Sequence, residues 1–93
     1  MKSREQGVTG IKQYLDKIPP GSSTGLYHGA KYQITKDAFN NGKSLKLFAR
    51  ELGGNDFISL NYYLLKSGDR LCPCEMPSEK VISFLHQVKI TAK

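Results

Sequence analysis

The segment SLKLFARELGGNDFISLNYYLL, residues 44–65, constrains this chain more than any other. Side chains alternate across a β-strand, so each strand has two chemically separate faces. Leu45, Leu47 and Ala49 fall on one face of the first half, and Lys46, Phe48 and Arg50 on the other. After the GGND turn, Ile58, Leu60, Tyr62 and Leu64 share a face, opposed by Phe57, Ser59, Asn61, Tyr63 and Leu65. The first set in each half is the more continuously apolar and is assigned to a core. The second set, rings interleaved with cations, has to meet something else.

Turn signals place the neighbouring elements. Asn40-Asn41-Gly42 is a hairpin signal, because Asn and Gly tolerate positive φ. It separates strand 44–52 from an earlier strand over 25–37, bent or bulged at Gly29, with Tyr32 and Ile34 toward the core. GGND at 53–56 leads into strand 57–65, and KSGD at 66–69 into a short strand over 70–75. Regular turns make a four-stranded antiparallel meander the simplest topology.

Helical signals flank this meander. Val8, Ile11, Leu15 and Ile18 recur at spacings that form one helical stripe, with Ser3 and Gln6 as a capping box, predicting a helix over 3–18. IPPGSSTG ends it, and residues 19–25 are expected to be a flexible linker. PSEKVISFLHQV predicts a C-terminal helix entered at Pro77, with Val81, Ile82, Leu85 and Val88 on one face and Phe84 near its edge. The expected fold is α+β: an N-terminal helix, a four-stranded antiparallel β-meander and a C-terminal helix packed on one sheet face.

Ninety-three residues are expected to form one domain, 1–93. A chain this short buries only about 60–65% of its unfolded surface, which makes a homodimer attractive. Val81, Phe84 and Leu85 are its candidate interface. The net charge of +6 favours an acidic partner, either nucleic acid or an acidic protein. No stretch approaches the ~20 apolar residues of a membrane span, and the N-terminal stripe is too narrow and mixed in charge for a membrane anchor. The start MKSREQGVTG lacks an apolar signal core, and two cysteines form no disulfide framework, so a reducing cytoplasmic setting is expected.

Three readings of the ring-and-cation face stay open. Phe48 and Phe57 could form a second small core under the N-terminal helix. They could form a dimer interface. Or they could stack the bases of a single strand, worth about 1–3 kcal/mol per base, while Lys31, Lys43, Lys46 and Arg50 neutralise phosphates and Tyr63 adds a third ring.

Residues 30–88 resemble the single-stranded-DNA-binding transcriptional coactivators of the positive-cofactor-four type. The likeness rests on ARELGGNDFISLNYYLL, then SGD, then MPSEKVISFLHQV: an Arg-Glu turn strand, a following strand and a terminal helix opening near proline. It implies a sheet that binds unpaired DNA and a helix that dimerises, with Arg50, Lys46 and Tyr63 as contacts. Leu52 stands where that family has an aromatic, and Asn61 and Leu64 where it favours Arg and Trp.

Other chemistry finds little support. Cys72 and Cys74 put both sulfurs on one strand face, and zinc would need His28 and His86 to converge on them. The spacing suits a disulfide poorly, and two small, buried apolar side chains are the simpler reading. Glu51, Asp56, Asp69 and Glu75 read as solvated charges, and no catalytic fingerprint is present. The expectation is a non-enzymatic nucleic-acid-binding protein without cofactor or metal. The alternative is a protein-binding adaptor or inhibitor.

Overall fold

Alternation and turn chemistry build most of the sheet. The fold is known from a computed structural model that describes residues 11–66 and 68–92. In chain order the elements are α1 (Ile11–Asp16), β1 (Gly21–Tyr27), β2 (Ala30–Phe39), β3 (Ser44–Glu51) and β4 (Phe57–Leu65). Then follow β5 (Gly68–Pro73), α2 (Ser78–Gln87) and β6 (Lys89–Ala92). The strands form one antiparallel sheet ordered β5-β4-β3-β2-β1-β6. The architecture is therefore α+β, with two helices among the described residues. The expected helix start at Ser3, Gln6 and Val8 lies outside those residues.

The meander has five strands rather than four, and the end of the chain adds a sixth. The expected strand 25–37 is two strands. His28 and Gly29 both have positive φ, and Tyr27 pairs directly with Ala30, so they form a two-residue hairpin turn instead of a bulge. Most of the expected linker 19–25 is β1, hydrogen-bonded to β2 on one side and β6 on the other. Gly25 permits the second pairing. A Cβ there would stand 3.0 Å from the Lys89 carbonyl oxygen and 3.0 Å from the Val88 side chain. The NNG turn forms as read, with Asn40, Asn41 and Gly42 all at positive φ.

One sheet face carries the core. Tyr27, Tyr32, Ile34, Leu45, Leu47, Ala49, Ile58, Leu60 and Tyr62 are buried there with Ile11, Leu15 and Ile18 of the N-terminal stripe. Val81, Phe84 and Leu85 of α2 complete it. Their spacing puts them on one helical stripe, and Phe84 is fully buried at its edge. Its ring centroid is 5.0 Å from Tyr27 and 5.5 Å from Tyr32, both edge-on. Val81, Phe84 and Leu85, the candidate interface residues, are buried in the protomer's own core, where each buried apolar side chain contributes about 1.5–3 kcal/mol.

Polar groups tie the helices to the sheet. Lys36 shares the core parity of β2 yet is a lysine. Its ammonium donates to the Leu15 carbonyl, 2.8 Å away, near the negative C-terminal end of α1. Burial lowers its pKa from the ordinary 10.5, against an opposing pull from Asp16. Asp56 accepts from the Tyr32 hydroxyl at 2.7 Å and from the Lys80 ammonium, joining β2, the β3–β4 turn and α2. Those bonds, that from Lys80 first, hold its carboxyl below the ordinary value. The Tyr62 hydroxyl donates to Asp69. Asp56 and Asp69 are thus structural acceptors rather than the solvated charges expected.

Candidate nucleic-acid interface

Both described helices pack on the core face, so among the described residues no helix lies on the second face of the sheet. Strand register arranges it in rows that cross the sheet. One row reads Thr24, Gln33, Arg50, Phe57, and the next Ser22, Thr35, Phe48, Ser59. Then come Asp37, Lys46, Asn61, Cys72, followed by Phe39, Ser44, Tyr63, Arg70. At the opposite end Leu26 stands between Lys31 and Lys89.

Among the described residues, no helix covers Phe48 and Phe57. Phe48 and Phe57 are absent from the core cluster, and Phe48 is 40% exposed. The α1 stripe Ile11, Leu15 and Ile18 is buried on the other side. The two rings stack on one another, centroids 6.1 Å apart and planes 29° apart. They occupy adjacent rows on adjacent strands, a diagonal pair that aromatic side chains can bridge. An antiparallel sheet tolerates one solvated face, so no second layer is required.

Six of the seven expected contact residues come together here. Lys31, Lys46, Phe48, Arg50, Phe57 and Tyr63 share the open face, with Lys31, Lys46 and Arg50 exposed. Lys43 does not join them. It sits in the β2–β3 turn, at the rim of the sheet and on the core parity of β3. Arg70, Lys89 and Phe39 join the face unexpectedly. β2 runs two residues past the predicted end at 37, which places Phe39, 52% exposed, on this face. The described residues of this face therefore carry Lys31, Lys46, Arg50, Arg70 and Lys89 against one carboxylate, Asp37. Asn61 and Gln33 add amides, which can both donate to and accept from base edges.

The cysteines border this face. Cys72 is opposite Asn61, and the Asn61 amide approaches the Cys74 sulfur at 3.8 Å. Both thiols are free and half-buried, not fully buried as expected. His28 and His86 lie elsewhere. His28 hydrogen-bonds Gln87 at 2.8 Å, and His86 lies against the Tyr14 ring at 4.3 Å. Among the described residues, no group of three or more His, Cys, Asp or Glu is placed to hold a metal ion. No helix among them is long and apolar enough to cross a membrane.

The arrangement offers flat apolar rings, flanking cations and small polar floors, and no paired acid and base. No protein-family model, curated protein or solved structure matches this chain.

Proposed function

We propose that this chain is a non-enzymatic binder of single-stranded nucleic acid, and that the open sheet face is the binding surface. The observation that carries the reading is the Phe48–Phe57 stack, with Phe48 exposed and Phe57 half-buried, set in register beside Arg50 and one row from Lys46. Bases stack on ring faces without demanding sequence, while guanidinium and ammonium groups neutralise phosphates. A duplex hides its base faces, so the surface favours unpaired strands. The resemblance to the positive-cofactor-four type points to the same ligand.

A protein partner is the second reading. Leu26, Phe39 and Leu65 on the same face are exposed and apolar. Such side chains suit an acidic protein steered by the positive field.

Titration of a fluorescent single strand and its duplex at low and moderate salt separates the two. If Lys46, Arg50 and Arg70 each neutralise one phosphate, the log–log salt slope is about −2, and a fourfold rise in salt weakens binding about 20-fold. Lys46→Ala with Arg50→Ala lowers the slope magnitude by about 1.4. Equal affinity for duplex and single strand, or a slope unchanged in the double variant, contradicts the proposal. Absence of any oligonucleotide binding at low salt leaves the protein partner.

A further inference from the structure

The open face has a second ring-bearing end. Three rows beyond Phe57, on the same parity of β4, stands Tyr63. Its row continues through Ser44 to Phe39 on one side and to Arg70 on the other. Phe39 and Tyr63 are thus two strands apart with a serine between them. Neighbouring strands lie about 4.8 Å apart, so the two backbones are separated by about 10 Å. That spacing leaves two ring-bearing walls over a small floor, a width suited to a planar base.

The distance between the two ends sets a length. Phe57 to Tyr63 is six residues of antiparallel strand, about 20 Å at ~3.4 Å per residue. An unstacked nucleic-acid strand advances about 7 Å per nucleotide, roughly twice the ~3.4 Å of a duplex strand. One nucleotide therefore matches one row. The intermediate rows carry Phe48, then Lys46 beside Asn61.

We infer that the platform is two-ended: it takes an extended single strand of about four nucleotides laid along β3 and β4, one base per row. The first bases stack at Phe57 and Phe48, and the last enters between Phe39 and Tyr63. Lys46 faces the phosphates in the middle, and Arg70 those at the far end. The charge of the face supports this occupant, since cations lie at both ends and the centre and Asp37 is the single carboxylate among its described residues. The ligand class is an oligonucleotide, not a mononucleotide. This inference rests on the proposed single-strand binding.

Oligothymidylates of two to eight nucleotides, labelled and titrated at low salt, test it. Affinity rises steeply up to about four nucleotides and then only slowly. Phe39→Ala, a half-exposed position, weakens octamer binding at least about fivefold, the lower end of a lost base stack. Arg70→Ala reduces the octamer's salt slope by about 0.7. Retention of octamer affinity in Phe39→Ala, alongside a loss in Phe48→Ala, overturns the two-ended platform and leaves single-strand binding standing. Failure of the wild type to bind the octamer removes both.

Discussion

Phe48 and Phe84 are the same residue type on opposite sides of one sheet, and the structure gives them opposite consequences. Phe84 is fully buried, with Tyr27 and Tyr32 packed edge-on against it. Truncation to alanine leaves a cavity and costs about 3–5 kcal/mol of folding stability. Phe48 is 40% exposed, and its ring stacks on Phe57. Truncation there forfeits one aromatic pair and part of a half-covered ring, about 1 kcal/mol. For single-strand affinity the order reverses. Phe48→Ala loses one base stack, about 1–3 kcal/mol, or roughly 5- to 150-fold. Phe84→Leu, a milder core change that preserves the fold, leaves affinity unchanged within about twofold. Urea unfolding followed by circular dichroism gives the stabilities, and fluorescence anisotropy gives the affinities. A Phe48→Ala protein destabilised as much as Phe84→Ala would show that the ring face is covered, and would refute the reasoning.

Three further outcomes follow from the polar ties and the close packing. Between the lowered folded pKa of Lys36 and its ordinary 10.5, the unfolded chain holds more protons, so stability rises with pH through this interval. Lys36→Met removes that rise, measured by urea unfolding between about pH 7 and 9, below the range where tyrosines ionise appreciably. The depressed Asp56 pKa gives a linkage of the same sign in the acid range: its stabilisation is complete above the ordinary 3.8 and is lost as pH falls through the folded value. Asp56→Asn costs about 1–2 kcal/mol at neutral pH, and the gap from wild type closes in acid; a gap constant with pH contradicts the assignment. Gly25→Val forces a side chain against the Lys89 carbonyl and Val88, so amide exchange of β6 accelerates and thermal stability falls.

The legible parts of this molecule are those where local pattern and tertiary environment agree. Leu45, Leu47, Ile58, Leu60 and Tyr62 alternate strictly, and all are core residues. The strand β1 was hidden because GSSTGLY has the composition of a linker. Its extended form comes from neighbours on both sides, and Ser23 and Gly25 face the core without an apolar side chain to announce it. β6 is four residues long and follows a helix directly, so no periodicity can develop. The apolar stripe of α2 fits a partner's helix and its own sheet equally well, and its burial against the sheet is a tertiary fact that no local pattern supplies. Phe39 was missed by ending β2 at 37, although parity alone would have put it on the ring face. Arg70 needed the register with Tyr63, which no local signal supplies.

The most direct measurement is an amide and side-chain NMR titration of the labelled protein with an unlabelled single-stranded octamer. The account predicts that shifts concentrate on Phe48, Arg50, Phe57, Asn61 and Tyr63, while Val81, Phe84 and Leu85 stay in place. Shifts centred on the α2 side of the sheet, or a spectrum unchanged at saturating octamer in low salt, would contradict it.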